Sequence, residues 1–144
     1  MSVEVAWAAG FFDGEGCVLY YINQWWRGER LTFGLSASNC DRRALDEMQM
    51  LFGGRVRVAR HIKGDGKGYA VGIWEVTGQD AVNAARKMLP YCKLKQSQLQ
   101  LYIDAVEETV SVRGIHITEE QRELRYVYAD AIKKLRRPQW EGVG

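Results

Sequence analysis

Ala8-Ala9-Gly10-Phe11-Phe12-Asp13-Gly14-Glu15-Gly16-Cys17-Val18 joins an apolar segment to a β-type segment through an acid–glycine–acid–glycine exit. From Val3 to Asp13 the chain is apolar on almost every side, which predicts a short helix buried all round rather than an amphipathic one. Gly14-Glu15-Gly16 ends it, because glycine supplies the backbone freedom of a helix exit. Ala6, Gly10 and Gly14 fall at i, i+4 and i+8, so small residues form a flat stripe that lets another backbone approach closely. The stripe suits a pair of helices and equally suits one helix packed on its own sheet. Spacing alone leaves both open.

Working outward, Cys17 to Trp26 is rich in aromatic and β-branched residues and reads as a strand, and Arg27-Gly28-Glu29 as a turn. Leu31 to Ser38 alternates apolar and polar residues with period two, a strand with one polar face. Asn39 is the expected N-cap of a helix to about Phe52, with a stripe of Leu45, Met48 and Leu51/Phe52. Gly53-Gly54 stops it. Arg55 to Lys63 alternates again, Gly64 to Gly68 is a flexible connection, and Tyr69 to Thr77 is a fourth strand. Helices follow over Gln79 to Leu89 and Lys93 to Val112. A capping box, Thr118-x-x-Gln121, opens a last helix to about Arg137, with a stripe of Leu124, Val127, Ala131 and Leu135. Two hairpins flanked by helices make an α+β domain whose antiparallel sheet is covered on one face. Strands of about ten residues reach ~33 Å, close to one turn of B-DNA at ~34 Å. The open face therefore suits a major groove, and equally suits plain solvent.

The chain has 144 residues, 47% of them hydrophobic, enough for one domain with a core and too little for two. No apolar run spans a bilayer, and no signal peptide is expected, so the setting is intracellular and soluble. Cys17, Cys40 and Cys92 are odd in number and widely spaced, which predicts buried free thiols. Net charge is only +2, yet charge is segregated. Arg55, Arg57, Arg60, Lys63 and Lys67 stand against Asp65 alone, and Arg86, Lys87, Lys93 and Lys95 against no acid. A polyanion-binding surface needs such segregation. His61 and His116 have no ligand-spaced partners, so no zinc site is expected.

Ala8 to Val18 resembles the LAGLIDADG motif in its GFxDGEGC-like form. Leu31-Thr32-Phe33, Phe52-Gly53-Gly54 and Leu89-Pro90-Tyr91-Cys92-Lys93-Leu94-Lys95-Gln96 are similar to further landmarks of the LAGLIDADG homing endonucleases. The resemblance covers about residues 5 to 110 of a single 1–144 domain, with a C-terminal helical extension over about 115–137. It implies the family fold: an αββαββα core with a four-stranded antiparallel saddle sheet and an added C-terminal helix. It also implies a site-specific endonuclease, intron-encoded or free-standing. Such an enzyme cuts a long, pseudo-palindromic double-stranded DNA target and leaves short 3′ overhangs.

One motif copy implies a homodimer whose motif helices pair across a two-fold axis through Ala6, Gly10, Phe11, Asp13 and Gly14. Glu15 and the Gly14 carbonyl would then hold Mg²⁺, or Mn²⁺ or Ca²⁺ in the same sites. Oxygen-only ligands fit such ions. Lys95 matches the family lysine near the scissile phosphate, and Asp13 reads as structural, bonding backbone at the dimer seam. In place of the solvent-positioning Gln or Asn at the end of the second strand stands Ala37; Ser38 or Asn39 could substitute. The outward positions Leu19, Tyr21, Asn23, Trp25, Arg30, Thr32, Gly34 and Ser36 of the first hairpin face the target. Arg55, Arg57 and His61 do so on the second. Arg27, Lys63 and Lys67 at loop tips would meet phosphates. Trp25 and Trp26 could instead pack near the hairpin end. The competing readings are a non-cleaving nucleic-acid-binding protein on this fold, such as an intron maturase or regulator, and a protein-interaction domain.

Overall fold

Ser2 opens the first helix, α1 (Val3–Glu15), by accepting a hydrogen bond from the Val5 N–H at 3.2 Å. The structure, a computed structural model, describes residues 2–61, 69–111 and 116–136. Phe12 closes the helix over the start of strand β1 (Gly16–Trp25), and a Cβ on Gly16 would run into its ring. Only glycine lets the chain turn from helix into strand beneath that ring, which accounts for the last glycine of the motif.

Strand β1 pairs antiparallel with β2 (Gly28–Asn39), in the register Val18↔Leu35, Tyr20↔Phe33, Tyr21↔Thr32 and Asn23↔Arg30. Helix α2 (Arg42–Phe52) then buries Leu45, Met48 and Phe52, the stripe the periodicity predicts. Its cap differs from the expectation. Asp41, not Asn39, accepts from the Arg43 N–H at 2.9 Å, and the Asn39 amide oxygen accepts from the Asp41 N–H at 2.8 Å. Asn39 is still the last residue of β2, paired with Gly72, so the helix cannot begin there. Gly53 and Gly54, at φ +79° and +84°, carry the chain out of α2 through backbone space that side chains disfavour.

The second hairpin is β3 (Arg55–His61) with β4 (Tyr69–Thr77), antiparallel in the register Arg55↔Glu75 and Arg57↔Ile73. Strand β4 also pairs with β2, which makes a four-stranded sheet in the order β1-β2-β4-β3. Val18, Tyr20, Leu35, Ala37, Trp74 and Val76 line its inner face under the helices. The inner face is tied as well as packed: the Trp74 indole N–H donates to the Gly53 carbonyl at 2.9 Å, and Tyr20 Oη meets Thr109 Oγ1 at 2.6 Å.

Helix α3 (Gly78–Met88) runs into a 3-10 turn (Leu89–Tyr91), followed by α4 (Gln96–Thr109) and α5 (Glu119–Leu135). Helix α4 begins three residues later than expected because residues 93–95 are drawn into a turn by Asp13. Thr118 and Gln121 form the capping box of α5, as read from the sequence. The buried side of α5 is another matter. Ile132 is 1% exposed, with Tyr128 and Ala129 packed beside it, while Val127 is 63% exposed. Arg125 turns the helix to this face by donating from Nε and Nη2 to the Thr109 carbonyl at 3.0 and 2.8 Å, a cation at the C-terminus of α4.

Cys17, Cys40 and Cys92 are free thiols, but only Cys92 is buried and Cys40 is exposed. Among the described residues no helix is long and apolar enough to cross a membrane.

Candidate functional site

Helix α1 is not buried all round. Ala8, Ala9 and Phe12 are fully buried on one side, whereas Val3 is 82% and Trp7 43% exposed on the other, where Gly10 and Gly14 are also exposed. At 100° per residue, residues 3, 7, 10 and 14 form one stripe opposite the buried one. A Cβ on Gly10 or Gly14 would meet nothing within 4 Å. Among the described residues nothing requires glycine at either position, so the glycines of the stripe do not serve packing on the described sheet. Ala6 and Phe11 flank it half-buried, with the Phe11 ring stacked on Trp7 at 5.5 Å. Val3 and Trp7 went unnoticed in the sequence, although they continue the Gly10/Gly14 stripe.

The bare stripe ends at Glu15, the last residue of α1, whose exposed side chain makes no hydrogen bond or ion pair among the described residues. Asp13 points the other way, into its own chain. Its carboxylate accepts the Lys93 N–H at 2.7 Å and the Lys95 N–H at 3.0 Å. Partial burial acts to raise the Asp13 pKa, but the backbone N–H groups of residues 93 to 95 outweigh it and hold the carboxyl below its ordinary value. Asp13 thus bonds backbone, as expected, but within one chain. It caps the N-terminus of α4 from about 80 residues away, where a carboxylate is favoured by the unpaired N–H groups.

The same contact fixes Lys95, whose ammonium donates to the Asp13 carbonyl at 2.6 Å. Lys95 and Glu15 therefore occupy one helix end, and the cation suits the negative pole of α1. Cys92 is close by and chemically quiet: burial, then the Asp13 charge, pushes its thiol up to about 12. Ala37 is 2% exposed and pairs with Gly16, so it faces the core and cannot position solvent. The alternation of β2 puts Ser36 and Ser38 on the open face at this end of the sheet.

Along the open face the strand registers place Tyr21, Asn23 and Trp25 beside Thr32 and Arg30, and Ser36 beside Glu75. The predicted outward positions thus do share one face. Arg55 and Arg57 lie there too, but not free: both bind Glu75, at 3.3 and 2.7 Å. Burial works to raise Glu75, yet the two arginines hold it below its ordinary value. Glu75 was not picked out from the sequence, where it looks like one more strand residue. His61 pairs through its backbone with Tyr69 at the end of β3, and Lys63 and Lys67 lie outside the described residues. Among the described residues no three His, Cys, Asp or Glu side chains gather as a metal cluster. At this end the chain offers the Glu15 carboxylate and backbone carbonyls, oxygen donors of the kind hard cations take.

No protein-family model and no curated protein sequence matches the chain. Solved structures do. The chain is similar to the homing endonuclease I-CvuI in complex with its target in the presence of Ca, with TM-score 0.75 and 22% identity over 95% of this chain and 84% of that one. It is similar to the archaeal intron-encoded homing endonuclease I-Vdi141I complexed with DNA, with TM-score 0.76 and 16% identity over 96% and 87%. The LAGLIDADG homing endonuclease I-GzeII, in complex with its DNA target, matches with TM-score 0.60 and 14% identity. There the match takes in 94% of this chain but only 44% of the other. The chain has the LAGLIDADG homing-endonuclease fold. In that fold the bare stripe of α1, the unengaged Glu15 and the pinned Lys95 stand at one end of the sheet, and the arginine-bearing face runs away from them.

Proposed function

We propose that the chain is a homodimeric, divalent-metal-dependent DNA endonuclease of the single-motif LAGLIDADG class, cutting both strands of a long, pseudo-palindromic target and leaving short 3′ overhangs. The observation that carries this reading is the bare α1 stripe of Val3, Trp7, Gly10 and Gly14 leading to a carboxylate, Glu15, with no partner among the described residues. The match to less than half of I-GzeII supports it, since this chain then corresponds to one half of a longer molecule.

Pairing two copies through this stripe sets two Glu15 carboxylates beside each other at the negative poles of two helices. Like charges and helix poles both disfavour that arrangement unless a cation neutralises it. Glu15 and the Gly14 carbonyl would hold the ion, Mg²⁺ or another hard divalent cation, which when bound supplies an activated water and charge neutralisation. Lys95, pinned on the Asp13 carbonyl, keeps a second positive charge at the same end, where negative charge grows on a phosphate under attack. The open face would lie in the major groove. There Tyr21, Asn23, Thr32, Ser36, Arg55, Arg57 and His61 meet base edges, while Arg27, Lys63 and Lys67, with Arg30 near the hairpin tip, meet phosphates.

The test is digestion of a plasmid carrying the target, the uninterrupted allele of the host gene, with and without Mg²⁺. Wild type should linearise it only with metal. Glu15→Gln should bind as tightly yet cut at least about 10³-fold more slowly. A second reading, a non-cleaving nucleic-acid-binding protein, is favoured by the buried Ala37 alone. Binding without strand scission at any divalent metal tried would establish it instead.

A further inference from the structure

The tip of the first hairpin carries a feature the cleavage chemistry does not use. Trp25 is 53% and Trp26 79% exposed, an unusual position for the largest apolar side chain. They pack on each other, ring centroids 6.4 Å apart, and on arginines. The Arg27 guanidinium lies 4.3 Å from the Trp26 ring centroid, and that of Arg30 lies 5.3 Å from Trp25. This packing leaves both indoles largely open to solvent.

The tip's one acid is held away. Glu29 alternates to the opposite face, where Arg122 donates at 2.9 Å and Tyr126 donates from its hydroxyl. The Arg122 hydrogen bond, then that from Tyr126, brings Glu29 down to about 2. By the strand register Trp25 and Arg30 lie on the open face, Trp26 and Arg27 continue the cluster into the turn, and among the described residues no acid pairs with either arginine. Position follows from the strand. Strand β1 starts at Gly16, directly after Glu15, and runs 10 residues to Trp25. At ~3.3 Å per residue the tip is roughly 30 Å from the proposed cutting site, or about nine base pairs of B-DNA.

We propose that Trp25, Trp26, Arg27 and Arg30 form a sequence-independent anchor on the sugar–phosphate backbone at the outer end of each half-site. The arginines meet phosphates, and the indoles lie against deoxyribose faces. The proposal rests on the DNA-binding reading above and adds the element that sets the length of duplex engaged.

The experiment uses the full chain and random-sequence duplexes at low salt, which need no knowledge of the target. One duplex, of about 24 base pairs, reaches past both tips; the other, of about 12, stops short of them. Trp26→Ala should weaken binding to the long duplex about tenfold, the loss expected from part of an indole left in water. It should leave the short duplex unaffected, and Trp26→Phe should retain most of the affinity. Circular dichroism should show an unchanged fold, since Trp26 is exposed. Equal weakening on both duplexes, or none on either, overturns the proposal while wild-type binding keeps the parent reading intact. A changed oligomeric state with unchanged DNA affinity makes the patch a protein contact and also overturns it. A wild-type chain that binds neither duplex overturns both.

Discussion

Asp13 shows how one side chain joins distant parts of the chain. Its carboxylate serves the N–H groups of Lys93 and Lys95, and its carbonyl holds the Lys95 ammonium. Asp13→Asn removes the charge and one of two good acceptors. It should cost about 1–3 kcal/mol in a denaturant melt and slow any cleavage that depends on Lys95. Because the folded Asp13 pKa lies below its ordinary value of 3.8, its stabilisation is fully present above that value. It is lost as pH falls through the lower folded value, so acid unfolding of the Asn variant should show a shallower pH dependence below about 4. Glu75 acts in the opposite sense, tethering Arg55 and Arg57 to the sheet. Glu75→Gln should release both positive charges toward the DNA. Non-specific DNA affinity at low salt should then rise, with log K falling more steeply in log salt by up to about two units. An unchanged salt slope would show that Glu75 does not restrain them.

At the scale of the element, α1 makes a prediction with opposite signs for its two possible environments. Gly10→Ala puts a Cβ into open space in the single chain and removes a glycine from a helix interior. A lone chain should therefore gain about 0.5–1 kcal/mol. A pair of helices touching backbone to backbone should instead lose association, read as a rise in the dimer dissociation constant. Helix α5 is a brace for the first hairpin through Arg122 and Tyr126 on Glu29. Arg122→Ala should let Glu29 titrate upward from about 2 toward its ordinary 4.5, visible by carboxyl NMR. An unmoved Glu29 would mean that the brace does not exist in solution.

Over the whole molecule, the elements legible in the sequence were those with local causes. Gly14-Glu15-Gly16 and Gly53-Gly54 end helices, period two marks β2, and Thr118 with Gln121 caps α5. What escaped depends on partners far along the chain. The Lys93–Lys95 turn follows from Asp13, the rotation of α5 follows from Arg125 reaching Thr109, and the restraint on Arg57 comes from Glu75 across a strand pair. The bare stripe of α1 has its cause in no local signal either, since an apolar helix reads the same whether its second face meets its own sheet or another chain. The candidate site was named residue by residue from a resemblance. The structure adds that Glu15 and Lys95 share one helix end and that Ala37 is turned inward.

The most direct measurement is anomalous diffraction from Mn²⁺ in crystals of the full chain grown with duplex DNA. The account predicts two copies whose α1 helices run side by side over Gly10 and Gly14, with Mn²⁺ against both Glu15 carboxylates and the DNA backbone. A single copy on the duplex, or Mn²⁺ bound away from Glu15, would contradict it.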